Sequence, residues 1–149
     1  MTLDSIKLKD LNYGEEDIIL NMIYSDEELQ DTFSGGHNTM SRILNADYSG
    51  LIKLGRINVG FIMLVFNGRT GKHEIDMGIL KKYRGNGYGT QALGLLKKRI
   101  LKSNISIDIQ IKQANEAAIK SVLKNGFVLY NQDKECYYFK IVENKKNLN

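Results

Sequence analysis

Apolar and polar positions along this chain alternate, then recur every three to four residues, then alternate again, and each change of period marks an element. Ser5 to Leu11 reads as a short strand with Ile6 and Leu8 on one side, and helical spacing follows through Ile18, Ile19, Met22 and Ile23. Residues 26–46 read as a short helix, a break at Gly35-Gly36 and a second amphipathic piece around Met40 to Leu44. Strands are expected at Leu51 to Leu54 and, after a turn at Gly55-Arg56, at Ile57 to Phe66. The apolar run Val59 to Phe66 is far shorter than the ~20 residues that span a bilayer, so it reads as a buried strand. Asn67-Gly68 tolerates positive φ at both positions and signals a hairpin into a strand from Lys72 to Leu80, which completes an antiparallel meander.

The period then lengthens again. Ala92, Leu93, Leu96 and Ile100 share one helix face, while Lys97, Lys98, Arg99 and Lys102 crowd the last turns, where the helix dipole favours cations. Ile105, Ile107, Ile109 and Ile111 alternate with polar residues as in a half-buried strand. Asn115 opens another helix with Ala118, Ile119, Val122 and Leu123 inward, and Asn125-Gly126 closes it. Phe127 to Tyr130 and Cys136 to Val142 finish as strands, giving an α+β domain on a largely antiparallel sheet.

A length of 149 residues suits one domain with a core of its own. The single Cys, Cys136, cannot make an internal bridge and points to a reducing, cytoplasmic setting. The start, MTLDSIKLKD, lacks the basic and then apolar pattern of a signal peptide, and the tail ENKKNLN, residues 143–149, is expected to fray. The net charge of +4 conceals an asymmetry. Residues 10–31 carry Asp10, Glu15, Glu16, Asp17, Asp26, Glu27, Glu28 and Asp31 with no Lys or Arg; residues 77–107 carry Lys81, Lys82, Arg84, Lys97, Lys98, Arg99 and Lys102 with no Asp or Glu. The plain reading is two solvated helix faces, and the other is an anion-binding part beside a cation-binding part.

Candidate chemistry concentrates in Tyr83-Arg84-Gly85-Asn86-Gly87-Tyr88-Gly89-Thr90, between a strand and the long helix. Glycines here let a backbone approach a ligand where a helix start presents unpaired N–H groups, which makes an anion cradle. No Lys follows the last glycine, so an ATP-binding P-loop is excluded. A dinucleotide fingerprint fits Gly85 and Gly87 but meets Thr90 at its third position, after a strand that reads as the end of a meander and not the first of a βαβ unit. A tight turn without a ligand is the plainer alternative.

Arg84-x-x-Gly87-x-Gly89, opening a Leu-rich helix, resembles the pyrophosphate-binding motif of the GNAT family of N-acetyltransferases. Asn115-Glu116-Ala117-Ala118 and then Lys124-Asn125-Gly126-Phe127 resemble that family's second cofactor motif, and the likeness spans about residues 50–142. The resemblance implies a mixed, mostly antiparallel sheet of about seven strands flanked by about four helices. It divides the one domain into an acceptor-side region, 1–50, and an acetyl-CoA-binding core, 51–142.

The same resemblance implies the site residues. Gly85, Asn86, Gly87, Tyr88, Gly89 and Thr90 would hold the pyrophosphate of acetyl-CoA, with Arg84 supporting the loop or the charge. Met77, Gly78 and Ile79 would pair their backbone with the pantetheine arm and polarise the acetyl carbonyl, and Asn115 would contact the cofactor or simply cap its helix. The basic stretch at Lys81, Lys82 and Lys97 to Arg99 is a candidate for the 3′-phosphate. Direct attack by an amine needs a base, because an amine of pKa ~10 is mostly protonated at neutral pH. Glu74 and Asp76, on one face of their strand, are the candidates, with solvent-facing carboxylates as the alternative.

Two positions depart from the family pattern: Val122 stands where many members have a Tyr acid, and Gln110 where many have a Glu. Tyr137 or Tyr138 would have to substitute, and Tyr138 is the candidate acid carried forward. Neither His37 nor His73 is tied to Cys136 by any motif, and two His and one Cys make no metal site, so neither an acetyl-cysteine intermediate nor a metal is expected; the resemblance implies acetyl-CoA as co-substrate. The expected partners are acetyl-CoA and an amine drawn by the acidic segment, such as a polyamine, an aminoglycoside or a protein amino terminus, with a homodimer as the further option. An acyl-CoA-binding module that has lost catalysis is the second hypothesis. Membranes are not expected, and neither is nucleic acid, since the basic helix lacks aromatic interleaving.

Overall fold

Thirteen elements follow from these periods in the computed structural model, which describes residues 5–33, 39–100 and 105–141. They run β1 (Lys7–Asp10), α1 (Glu16–Tyr24), α2 (Glu27–Phe33), α3 (Thr39–Asn45), β2 (Tyr48–Leu54), β3 (Ile57–Asn67) and β4 (Lys72–Ile79). A 3-10 turn (Lys81–Tyr83) leads to α4 (Tyr88–Ile100), β5 (Ile107–Lys112), α5 (Glu116–Lys124), β6 (Phe127–Gln132) and β7 (Cys136–Ile141). One seven-stranded sheet holds them in the order β1-β2-β3-β4-β5-β7-β6, every pairing antiparallel except β4 with β5. The expected Gly35-Gly36 break, His37, Lys102, Val142 and the tail lie outside the described residues.

Each face of the sheet carries its own apolar layer. Ala92, Leu93, Leu96 and Ile100 of α4 and Val122 of α5 pack on Ile62, Leu64, Ile75, Ile107 and Ile109. On the other face Ile19, Met22 and Ile23 of α1, Leu29 of α2 and Ile43 of α3 cover Leu51, Phe61, Met63 and Val65. The central strand β3 is therefore buried on both sides, and this is why Val59 to Val65 is an unbroken apolar run.

Several expectations are corrected. β2 begins at Tyr48, so the division at residue 50 cuts through a strand; Ser49-Gly50 has turn composition, yet Gly50 is what lets the Tyr48 ring lie against its backbone. The β3–β4 hairpin closes at Asn67↔Lys72 over a four-residue loop whose left-handed residue is Gly71 (φ 74°), while Asn67 braces the loop by accepting from the Arg69 N–H (2.9 Å). Leu123 is 53% exposed, because on so short a helix the core side is taken by Val122, with Ala118 and Ile119 partly buried beside it. The five α-helices among the described residues accord with the expected count of about four. Finally, β4 is both the last strand of the meander and the first of a β4–α4–β5 parallel crossover, a pairing that periodicity cannot reveal.

The parallel contact of β4 with β5 is short. It consists of His73↔Ile107 and Glu74↔Asp108, after which β4 continues along β3 while β5 continues along β7. Beyond Glu74 the two strands part, and the opening between them is where the site lies.

Candidate active site

The direction of the backbone along β4 decides what faces the opening. Leu80 donates its N–H to the Val59 carbonyl (2.9 Å), whereas His73 donates its N–H the other way, to the Ser106 carbonyl (3.0 Å). Antiparallel ladders alternate residue by residue, so Ile75, Met77 and Ile79 turn their backbone groups away from β3 and toward the gap. The Ile79 carbonyl accepts from Arg84 Nε (2.9 Å), and the Met77 N–H and carbonyl lie between these two fixed points. Side chains alternate as well. Met77 and Ile79 pack against the α4 layer, while Glu74, Asp76 and Gly78 face α1–α3. A Cβ on Gly78 would strike the Leu29 and Phe61 side chains, so this glycine serves close packing of α2 on the strand.

The glycine loop ends at the start of α4. Gln91 donates its N–H to the Gly87 carbonyl (3.1 Å), which makes Gly87 the N-cap and leaves the N–H groups of Gly89 and Thr90 without intrahelical acceptors. Gly85 and Gly87 hold φ of 82° and 79°, and a Cβ at either would meet nothing within 4 Å. The demand for glycine is thus conformational, and the space in front of the helix start is open. Gly89 differs, since a Cβ there would make ordinary contacts with Met77 (3.4 Å) and Ile79 (3.7 Å).

The loop's side chains mostly brace it. Asn86 Nδ2 donates to the carbonyls of Tyr83 (3.1 Å) and Arg84 (3.3 Å), and Tyr88 buries its ring in the core, so what these two present toward a ligand is backbone. The Thr90 hydroxyl lies 2.6 Å from Ser121 Oγ, and Asn125 Nδ2 donates to the Thr90 carbonyl (3.2 Å), tying α4 to α5. Asn115 caps α5, its Oδ1 accepting from the Ala118 N–H (3.2 Å). Val122 is buried in the core, where it can donate nothing.

Arg84 points away from the helix start. Its guanidinium meets both oxygens of Asp26 (2.8 and 2.9 Å) and Glu28 (2.6 Å) on the α2 side. Asp26 is buried and also accepts from the N–H groups of Lys81 (2.9 Å) and Leu29 (3.2 Å), so one carboxylate joins the α2 N-terminus to the glycine loop. Burial opposes its ionisation, but Arg84 and the two N–H donors outweigh that and hold the carboxyl below its ordinary value. A lowered pKa contributes stability that is present above the unfolded value of 3.8 and is lost as pH falls through the folded one. Asp26→Asn is accordingly expected to destabilise the fold by about 2–4 kcal/mol near neutral pH, lowering Tm by roughly 5–15 °C. The gap from wild type should begin to narrow as pH falls below the unfolded value of 3.8 and close only once the folded carboxyl, held lower by Arg84 and the two N–H donors, is protonated as well. Melting curves at pH 7 and pH 3.5 measure both.

The basic residues at the end of α4 are also engaged. Lys97 Nζ donates to the Asn125 carbonyl (2.6 Å), and Arg99 pairs with Asp10 (2.9 Å) and stacks over the Tyr48 ring (4.6 Å). At 1.5 Å per residue they stand about 10–14 Å along the helix from Thr90, away from the glycine loop. Lys81 and Lys82 are exposed beside the loop and remain placed for a phosphate.

Both candidate bases meet a residue that the sequence gave no reason to single out. Arg42, on α3, donates from Nε to Asp76 Oδ2 (2.9 Å) and reaches Glu74 Oε1 (3.5 Å), and Glu74 Oε2 accepts from Asn67 Nδ2 (3.0 Å). The Asp76 side chain is 15% exposed against 33% for Glu74. Burial pushes the Asp76 carboxyl up, against the pull of Arg42, whereas Asp10, Glu15, Asp26 and Asp133 are all moved down. A raised carboxyl next to Met77 suits a proton acceptor.

Tyr138 lies on β7 opposite Gln110 and donates to Asp133 Oδ2 (2.5 Å); that hydrogen bond is the main cause of its pKa being pushed up to about 12. Its proton is thus held by a neighbour. Cys136 is buried and accepts from Gln110 Nε2 (3.3 Å), while His73 pairs with Asp47 (2.8 Å) on another part of the sheet. Among the described residues, no group of three or more His, Cys, Asp or Glu is placed to hold a metal ion.

The glycine loop thus opens α4, the edge of β4 is open beside it, and the half-buried Asp76 lies on that same strand. The model of the acetyltransferase (GNAT) family matches residues 20–127. The chain belongs to the GNAT acetyltransferase family. Among solved structures this GNAT chain is similar to spermidine N-acetyltransferase from Vibrio cholerae in complex with CoA and spermine, at 15% identity and a TM-score of 0.74 over 97% of this chain and 99% of that one. It is similar as well to RimL, a ribosomal L7/L12 alpha-N-protein acetyltransferase in complex with coenzyme A (13%, TM-score 0.70, 93% and 94% covered). The Campylobacter jejuni N-acetyltransferase PseH matches at 21% identity, TM-score 0.63, over 93% and 99%. At such identities the structures share the fold, and the expected seven-stranded α+β architecture is the one found. No curated protein sequence matches the chain. No helix among the described residues is long and apolar enough to cross a membrane.

Proposed function

We propose that this protein transfers the acetyl group of acetyl-CoA directly to a primary amine, on a small cationic molecule or a protein amino terminus, in the cytoplasm. The observation that carries the reading is the convergence of the α4 N-terminus, the free edge of β4 and Asp76. The open cradle fits a pyrophosphate, which the N–H groups of Gly89 and Thr90 would bind, with Gly85 and Gly87 supplying the backbone curvature and Lys81 and Lys82 nearby charge. Acetyl-CoA supplies an activated thioester.

Met77 turns its N–H into the gap, where it would stabilise negative charge building on an acyl oxygen. Asp76 is the base: its carboxylate takes a proton from the bound ammonium, directly or through one water, and so frees the amine lone pair that attacks the thioester carbonyl as the thiolate departs. Glu74, with one oxygen on Asn67 and the other on Arg42, acts as its neighbour and not as the acceptor of the proton. The departing thiolate is a stable leaving group, since thiols ionise near pKa ~8.5, so no strong acid is required of Tyr138.

The test is a panel of primary amines assayed for release of coenzyme A thiol from acetyl-CoA. Release that depends on both the amine and the enzyme is expected. A second reading, an acyl-CoA-binding module without transfer, draws on the burial of Val122 where an acid would stand. It predicts acetyl-CoA binding with no amine-dependent release.

A further inference from the structure

Four of the eight carboxylates in the acidic segment that seemed made to draw a cation are paired with cations of the chain itself. Asp26 and Glu28 are on Arg84, Asp10 on Arg99 and Glu15 on Lys9. The face around the base is balanced in the same way. Glu74, Asp76 and Asp108 are its carboxylates. Against them stand Arg42 on the first two, Lys72 on Asp108 (3.4 Å), and Lys140, which lies with Lys72 over the Tyr130 ring at 5.3 and 4.8 Å. Tyr130 donates its hydroxyl to Asp108 as well.

Resting on the transferase reading above, we propose that Arg42 is a specificity-determining residue. It is the site's own counter-cation on the Glu74–Asp76 pair, and it restricts acceptors to molecules with one amine and no second ammonium within reach. The guanidinium comes from α3 and engages one oxygen of each carboxylate, Asp76 Oδ2 at 2.9 Å and Glu74 Oε1 at 3.5 Å, so the distal ammonium of a polyamine would have to share the pair with it. A second ammonium in this place would sit against Arg42 as a like charge in a partly buried setting, where repulsion is poorly screened. A single amine needs Asp76 alone, as base, and brings no further charge to be matched. Polyamines are thereby excluded although a spermidine N-acetyltransferase shares the fold.

Spermidine is the probe, its binding to the full chain measured by calorimetry and thermal shift for wild type, Arg42→Gln and Arg42→Lys. Arg42→Gln is expected to bind spermidine at least about tenfold more tightly than wild type, or about 1.4 kcal/mol. Arg42→Lys should behave as wild type, and all three should bind acetyl-CoA alike, which verifies the fold. Adding Asp76→Asn to Arg42→Gln should abolish the gain, since that carboxylate is what the polyamine would meet. Equal spermidine affinity in wild type and Arg42→Gln overturns the proposal, as does acetylation of spermidine by wild type at a kcat/KM matching that of a monoamine. If no amine is acetylated while Arg42→Gln still gains spermidine binding, the transferase reading fails and the role of Arg42 stands.

Discussion

Asp76→Asn is expected to lower kcat by about 10²- to 10⁴-fold while leaving acetyl-CoA affinity unchanged, because it removes proton transfer and nothing that holds the cofactor. Asparagine keeps the shape of the side chain, and its amide oxygen still accepts from Arg42 Nε, now 2.9 Å from the carboxylate. Glu74→Gln, one step along the same face, should cost less than about tenfold, since Glu74 acts on the electrostatics of its neighbour and not on the proton itself. The pH dependence follows from direction alone. Burial raises the Asp76 carboxyl, so the wild-type rate should fall with decreasing pH along a limb placed above the ordinary carboxylate range, and that limb should be absent in Asp76→Asn. Steady-state kinetics over pH with acetyl-CoA titrations would show it. Comparable losses in Glu74→Gln and Asp76→Asn would mean that the base was wrongly chosen.

Gly87→Trp should weaken acetyl-CoA binding by at least about 100-fold, equivalent to about 2.7 kcal/mol. Two effects add. Gly87 holds φ at 79°, where a side chain costs roughly 1–2 kcal/mol, and the helix start that would have to shift to relieve this is the cradle itself. The indole would also project into space that is open in front of the loop, where the pyrophosphate must lie. Gly89→Ala is the matched comparison. Its Cβ would meet Met77 at ordinary contact distance from a helical backbone position, so affinity should stay within about threefold. Calorimetry on both variants, with circular dichroism to verify folding, decides it. An unchanged Kd in Gly87→Trp would remove the cradle from the mechanism.

Elements were legible in the sequence wherever one physical cause set the pattern. The run Val59 to Val65 is apolar because β3 is buried on both faces, and the spacing of Ala92, Leu93, Leu96 and Ile100 is that of one buried helix stripe. The glycine loop was readable because positive φ at Gly85 and Gly87 leaves a mark in residue type. Asn115 was likewise placed at a helix start by its chemistry. Boundaries blurred where a residue answers to a distant partner. Ser49 and Gly50 look like a turn but pair with Met63 and Ile62, and Asn67-Gly68 looks like a two-residue turn although the left-handed residue is Gly71.

The sequence by itself determined the period of each element, the glycine loop and the likeness to a family, since these are local properties of neighbouring residues. It also displayed an acidic stretch and a basic stretch without saying what they were for. Tertiary structure alone decided that Arg84 belongs to Asp26 and Glu28, that Arg99 belongs to Asp10, and that Arg42 sits on the two candidate bases. Partners separated by 32 (Arg42 to Glu74) to 89 positions leave no periodic trace. Charge meets charge through the packing of α2 and α3 on β4 and of α4 on β1, and the +4 that remains is what those pairings leave over.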